Sequence, residues 1–260
     1  FICSYRLMPL NTFALSLIEA YHLSPLVKHF VFEAALAETF NYLPGQFITL
    51  HLEHEGQSLK RSYSLANPPA GNNRLEFAAG FVEHGIASNL LFNLKPQEKI
   101  TASGPFGRLI LKDPDPKRYV LVATSTGVTP FRAMLPTLAQ KLSANPELNV
   151  VILLGVRNLD EAIYHTEFTE FMTRFPNQVS FRLHLSRPDK ALGTHQYQGY
   201  VQHAFTELNL QPDTDKVYLC GNPGMIDAAF ELLKEHHFSA PQIIREKYIS
   251  APAAPIRSKR

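Results

Sequence analysis

The sequence predicts two domains in series, an antiparallel β-barrel followed by a doubly wound parallel α/β domain. Three observations carry this: period-two alternation before residue 113, near-continuous apolar runs spaced by helical stretches after residue 117, and a polar, proline-rich segment between them. In the first part Ile48, Leu50 and Leu52 alternate with Thr49, His51 and Glu53, the pattern of a half-buried strand. Phe13, Leu15 and Leu17 alternate likewise with Ala14, Ser16 and Ile18, and Phe30 with Phe32 indicates another strand. Turn residues at Asn41, Pro44-Gly45, Glu55-Gly56, Asn67-Pro68-Pro69 and Gly71-Asn72-Asn73 separate short strands, which suits a small barrel. One helix is expected there, from Ile86 to Asn93. Lys112-Asp113-Pro114-Asp115-Pro116-Lys117 reads as the linker, because proline cannot continue a sheet ladder.

Beyond the linker, Tyr119–Ala123, Val150–Gly155, Val179–Leu185 and Lys216–Cys220 are short apolar strands, each followed by helical or loop-plus-helix sequence. Such runs belong in a parallel sheet covered on both faces. Asn158-x-x-Glu161 reads as a capped helix entry, and Pro136 is expected to kink or shorten the helix that follows Pro130. The expected boundaries are residues 12–113 for the barrel, 117–250 for the α/β domain and 251–260 for an extended tail.

Composition excludes several classes of function. Of 260 residues, 45% are hydrophobic and 18% charged, the mix of a globular chain rather than a disordered one. Lys plus Arg number 25 against 23 Asp plus Glu, and a net charge of +2 leaves no electrostatic footprint for nucleic acid. Arg257, Lys259 and Arg260 exceed that excess by themselves. An acidic partner would therefore need a local basic patch, for which Lys60, Arg74 and Lys95 are the candidates. Cys3 and Cys220 are too few for a four-thiolate iron–sulfur cluster. The pairs His51/His54 and His236-His237 lack a metal-ligand spacing such as H-E-x-x-H, so no metal is expected. No apolar run approaches the roughly 18 residues of a membrane span, and the stretch opening Phe1-Ile2-Cys3 is too short and too weakly basic for a signal peptide. A cytoplasmic monomer is the expectation.

Ligands of an open parallel sheet bind beyond the carboxyl ends of its strands. Those ends read Ala123 to Pro130, Gly155-Val156-Arg157, Leu185-Ser186-Arg187 and Cys220 to Gly224. The small hydroxylated residues and Gly127 ahead of Thr129-Pro130 suit a phosphate-binding turn that opens a helix, with Thr129 as cap and Pro130 at the first helical position. An ordinary helix cap has the same appearance.

In the barrel half the tetrad Arg61-Ser62-Tyr63-Ser64 is read as following a strand, ahead of the Asn67-Pro68-Pro69 turn. With Gly85-Ile86-Ala87-Ser88, Gly104-Pro105-Phe106-Gly107, Thr126 to Pro130, Cys220-Gly221-Asn222-Pro223 and Glu246-x-Tyr248, it makes an ordered series. On that series the chain resembles the ferredoxin–NADP reductase superfamily over roughly Thr12 to Ser250. The resemblance implies an FAD-binding barrel, a nucleotide-binding α/β domain and hydride exchange between NADPH and FAD. Single electrons would then pass to or from a carrier such as ferredoxin or flavodoxin.

The resemblance also implies roles. Arg61 would pair with the FAD pyrophosphate, aided by Gly85, Ile86, Ala87 and Ser88, while Tyr63 would lie along the flavin ring. Ser64 would hydrogen-bond the atom that receives hydride, Cys220 would position the nicotinamide, and Tyr248 would shield the ring. Glu246 would assist proton movement with Ser64. Thr126, Gly127, Thr129 and Pro130 would hold the nucleotide pyrophosphate, beside Arg157. Ser186 and Arg187 match the hydroxyl-then-arginine pair of NADP-dependent members, where a 2′-phosphate needs fixed positive charge. Two departures stand out: Ser125 replaces a frequent glycine, and twelve residues follow Tyr248, where many members end. Two alternatives remain at this point, an NADH-dependent reductase of free flavin or of an oxygenase component, and a non-catalytic flavoprotein subunit.

Overall fold

The computed structural model describes residues 12–249. Cys3 and the tail 251–260 lie outside the described residues. The first sheet contains β1 (Thr12–Ser24), β2 (Val27–Ala35), β3 (Phe47–His54), β4 (Gln57–Ser64), β5 (Arg74–Gly80) and β6 (Lys99–Phe106), in the order β4-β3-β6-β1-β2-β5. Every pairing is antiparallel. The two outer strands meet through a bridge between Leu65 and Phe77, which curls the sheet into a barrel. Its interior is filled by the alternating residues expected, among them Leu15, Leu17, Ile48, Leu50, Phe30 and Phe32, all buried. Phe77 stacks on both Phe30 and Phe32, with centroids 5.6 and 5.5 Å away. The alternation read in β1 holds through Ile18, which is exposed, and a bulge between Leu17 and Glu19 shifts the register beyond it. Helix α1 (Ile86–Asn93) closes one end by burying Ala87 and Leu91.

The second sheet holds β7 (Arg118–Thr124), β8 (Asn149–Val156), β9 (Val179–Leu185), β10 (Gln196–Gln198), β11 (Asp215–Gly221) and β12 (Ile243–Lys247). All are parallel, in the order β10-β9-β8-β7-β11-β12. Helices α2 (Thr129–Ala144) and α3 (His165–Arg174) cover one face; α4 (Ala204–Leu208) and α5 (Pro223–Glu235) cover the other. In β7, Tyr119, Leu121 and Ala123 pack on the first face while Val120 and Val122 pack on the second. A strand buried on both sides must be apolar at every position, which is why these four strands were visible in the sequence. The edge strands β10 and β12 were not, because Gln196-Tyr197-Gln198 and Arg245-Glu246-Lys247 carry too much polarity.

Three local expectations need correction. Pro136 does not shorten α2, in whose interior it lies and which continues to Ala144; the proline is exposed, on the side where the Arg132 carbonyl it leaves without an intrahelical donor can be hydrated. Asn158 caps only a three-residue turn, Leu159–Glu161, and its side chain makes no capping bond; α3 begins later, at His165. The tetrad with Arg61 and Tyr63 is the last half of β4 rather than a segment after it.

Candidate functional site

Beyond the carboxyl ends of β7, β8, β9 and β11 lies a cleft of about 660 Å³. Sheet order reverses between β7 and β11, and the crevice forms where their connections leave in opposite directions. Ser125, Thr126, Gly155, Arg157, Ser186 and Tyr248 contribute to its walls. Ser125 holds φ +49°, the left-handed region that a glycine adopts without strain. Gly127 has a different reason: a Cβ there would lie 2.3 Å from the Cys220 carbonyl oxygen. Thr129 is buried as the first residue of α2, and its hydroxyl has no partner; it does not cap the helix as expected. Pro130 does occupy the first turn.

At the mouth of this cleft the two domains meet through side chains. The Tyr248 hydroxyl donates to Ser64 Oγ at 2.6 Å, and Ser64 Oγ donates to Glu246 Oε1 at 3.1 Å. Ser64 is the buried end of β4, whereas Glu246 sits opposite Cys220 in the β11–β12 register. A Cβ on Gly107 would stand 3.2 Å from Glu246 Oε2, so the bare glycine leaves the carboxyl room. Burial raises the Glu246 carboxyl to about 7, although its bond from Ser64 acts the other way. Cys220 is fully buried, and burial together with Glu246 pushes its thiol up. The thiol stays protonated and is no nucleophile. Ser64, Cys220, Glu246 and Tyr248 are thus brought together from positions up to 184 residues apart.

On the barrel, Arg61 and Tyr63 share one face of β4, opposite Leu50 and Ile48 of β3. One face of Tyr63 is stacked on Phe77, centroids 4.8 Å apart, and burial raises its phenol to about 12. Arg61 donates to the Lys60 carbonyl at 2.8 Å. Gly85 precedes α1 as its N-cap and offers no side chain, so the first-turn amides of Ile86 and Ala87 are left without a side-chain cap. The Ser88 hydroxyl is engaged within the loop, with Val82 N at 3.2 Å and Gly85 O at 2.9 Å. A groove of about 690 Å³ borders this helix start through His84 and Ile86.

Other candidates are arranged differently from their sequence reading. Arg157 is forked onto Glu161 at 2.7 and 3.1 Å, a carboxylate in the cleft that the sequence showed only as a helix-entry residue. Ser186 bonds the Val156 carbonyl at 3.4 Å. Arg187 is exposed and is not a wall of the cleft, though its amide bonds the Arg157 carbonyl at 2.7 Å. Arg74 is tied to Glu76 at 2.9 Å and Glu19 at 3.5 Å, so it is not a free member of a basic patch. Tyr200, 61% exposed on the cleft wall, was not singled out from the sequence. Among the described residues no group of three His, Cys, Asp or Glu side chains is placed to hold a metal, and no helix is long and apolar enough to cross a membrane.

A barrel and a dinucleotide-type sheet sharing one hydrogen-bonded seam define a two-domain flavin and nucleotide reductase. Comparison with known proteins agrees: residues 14–110 match the oxidoreductase FAD-binding domain and residues 121–231 the oxidoreductase NAD-binding domain. The chain is 33% identical to ferredoxin–NADP reductase B of Sorangium cellulosum over 229 residues, 85% of this chain and 91% of that one. It is 28% identical to the reductase component of phenol 2-monooxygenase from a Pseudomonas species, over 88% of this chain and 63% of the relative. Among solved structures it resembles the Amycolatopsis cytochrome P450 reductase, with TM-score 0.79, 25% identity, and 95% and 72% of the two chains covered. A Neisseria gonorrhoeae ferredoxin NADP+ reductase with bound FAD and NADP shares the fold at TM-score 0.78, 20% identity and coverage of 91% and 98%. Several other curated relatives are longer, and the chain spans 40% to 63% of them. The chain belongs to the ferredoxin–NADP reductase superfamily and is an FAD-dependent oxidoreductase that takes a pyridine nucleotide.

The residues present fit both groups. Tyr63 has Phe77 behind one ring face, α1 starts uncapped, and Arg61 keeps donors beyond its single carbonyl bond. The left-handed Ser125, on the cleft wall, marks the other turn as one shaped for something besides its own helix. Enzymatic family membership sets aside the non-catalytic subunit.

Proposed function

We propose that the protein oxidises NADPH and delivers single electrons to a small carrier protein of the ferredoxin or flavodoxin kind. The observation that carries the reading is the Tyr248–Ser64–Glu246 chain across the domain seam, at the mouth of the nucleotide cleft. FAD, when bound, supplies the conversion between hydride and single-electron transfer. Arg61 and the Ile86 and Ala87 amides bind its pyrophosphate, and Tyr63 presents a ring already backed by Phe77. Ser88 supports that site by holding the loop rather than by direct contact. On the nucleotide side, the turn from Thr126 to Pro130 binds the pyrophosphate through the backbone amides ahead of Thr129, Pro130 having no N–H to offer, and Tyr248 covers the meeting place until nicotinamide enters. Cys220 gives that place a small, neutral wall.

Glu246 holds a proton at its carboxyl near neutral pH and exchanges it through Ser64 Oγ. The sign of the linked stability follows from the same shift. Folded Glu246 titrates near 7 against an ordinary 4.5, so its contribution is full below about 4.5 and is lost as pH rises through 7. Glu246→Gln should therefore narrow the difference in melting temperature between pH 5 and pH 8, and remove an inflection near 7 from the pH–rate profile. Melting curves and steady-state assays across that range would check both; an unaltered profile would show that another group titrates.

Arg187 and Ser186 support NADPH as donor, since Arg187 is exposed beside the cleft with no ion-pair partner among the described residues. Arg187→Ala should raise the Michaelis constant for NADPH about tenfold or more, the worth of one charge-assisted contact, and that for NADH less than about twofold. Equal changes would overturn the NADP assignment. A second reading, an NADH-dependent reductase serving an oxygenase, is favoured by one feature: Glu161 occupies Arg157 and adds negative charge inside the cleft. Anaerobic titration of the purified, flavin-loaded protein with NADPH and then NADH discriminates. Bleaching by NADPH at the lower concentration supports the first reading, and bleaching by NADH the second.

A further inference from the structure

The seam contains a second polar assembly that hydride chemistry does not use directly. Arg132 lies one turn inside α2, the helix opened by the nucleotide-binding turn. Its Nη1 donates to the Ala66 carbonyl at 3.0 Å, two residues beyond Ser64, and reaches Glu76 Oε2 at 3.3 Å. The other side of the guanidinium forks onto Glu167, with Nε to Oε2 at 2.8 Å and Nη2 to Oε1 at 3.1 Å. The group also lies 4.9 Å over the Tyr164 ring.

Glu76, Ala66 and Tyr164 are themselves fixed, whereas the Glu167 side chain is held by Arg132 alone among the described residues. Glu76 pairs with His29 Nε2 at 3.2 Å and with Arg74 Nε at 2.9 Å, which hold its carboxyl down to about 2, so it is charged at neutral pH. The same residue accepts the Ala66 amide at its carbonyl, at 2.7 Å, tying strand β5 to the segment after Ser64. His29 Nδ1 meets the Tyr164 hydroxyl at 2.7 Å, a second link across the seam. Tyr164 is buried with φ +56°, a strained backbone for a bulky residue that persists only where surroundings over-determine it.

Apolar contacts also cross the seam, since Val27, Ala66, Ala78 and Leu109 share a cluster with the α/β domain. Such packing is non-directional and holds surfaces together without choosing one relative placement. A planar guanidinium bonded on three sides does choose one. We infer that Arg132 is a positioning residue: it fixes the start of α2, and with it the bound nucleotide, relative to the Ser64 end of β4. The inference rests on the reading that nucleotide and flavin meet at Ser64, where small misplacement is costly because reaction needs near-contact geometry.

The test uses flavin-loaded wild type, Arg132→Met, Arg132→Lys and Glu167→Gln. Stopped-flow flavin reduction at saturating nucleotide should fall about tenfold or more in Arg132→Met and less in the other two, well within the ~10²-fold that a 1 Å misplacement costs. Dissociation constants for FAD and for the nucleotide should stay within about twofold of wild type, a split between rate and binding. Hydrogen exchange, read on flavin-free protein as well, should quicken in residues 64–68 and 128–133 together. An unchanged reduction rate in Arg132→Met overturns the inference. So does a fall in rate matched by equal loss of cofactor binding, which would mark a merely structural residue. Should Arg132→Met fail to fold, the Lys and Gln variants decide by the same criteria. Wild type that binds FAD yet is not reduced by either nucleotide would instead refute the reading of the site itself.

Discussion

Gly127→Ala is expected to be the most damaging small substitution near the nucleotide cleft. The added Cβ would sit 2.3 Å from Cys220 O, 2.6 Å from Cys220 C and 2.7 Å from Gly221 Cα. All three are backbone atoms at the end of the interior strand β11, which pairs with β7 and β12 on either side and cannot give way alone. Overpacking of this kind costs about 3 kcal/mol or more. For a chain of this size that corresponds to a fall in melting temperature of roughly 6–12 °C. Because the turn from Ser125 to Val128 must lift away, nucleotide affinity should drop as well, while FAD content of the folded fraction stays high. Thermal melts and nucleotide titration monitor the two effects; a variant that melts like wild type would show that the turn has slack the close approach does not suggest.

Ser64→Ala should give the largest loss of chemistry for the least loss of structure. The serine hydroxyl accepts from Tyr248 and donates to Glu246, so its removal breaks both bonds across the seam. A phenol among buried groups would be left unpaired, a penalty of about 1–3 kcal/mol. Glu246 would lose the bond that restrains its upward shift, and its titration should move above 7. Flavin reduction by NADPH is expected to slow about 10²-fold, the scale for deleting one oriented donor in a reacting site. Rapid-mixing kinetics at pH 6, 7 and 8 would register both the slower rate and the displaced pH dependence. A rate within twofold of wild type would mean that the hydroxyl does not face the reacting atoms.

Legibility in the sequence followed burial. Strands covered on both faces, such as Val150–Gly155 within β8, stood out as unbroken apolar runs, and the half-buried β3 stood out by alternation. Strands β10 and β12 were missed because each lies at a sheet edge, where polar side chains are tolerated. Motif residues that face each other were named individually, yet nothing local indicated that Thr129 would be sealed under its own helix with its hydroxyl unpaired. Nor did spacing reveal that Arg157 would find Glu161 in the cleft, since an i, i+4 pair in a loop carries no periodic signal. Ser125 is a case between the two. The absent glycine was visible, and only the backbone, at φ +49°, explains why glycine suits that place.

Taken alone, the sequence determined the order of the two folds, and its resemblance to a family picked out Arg61, Tyr63, Ser64, Cys220, Glu246 and Tyr248 as candidates. Those features are written in periodicity and in short motifs, which depend on neighbours a few residues apart. The tertiary structure decided what those residues do to one another. Glu246 is half-protonated near neutral pH because folding buries it against Ser64, 182 positions away in the chain. Arg132 bridges the domains because α2 and β5 happen to meet, a contact between residues 56 positions apart. Charge state and relative placement are properties of low-dielectric, long-range contacts, and no local pattern encodes them.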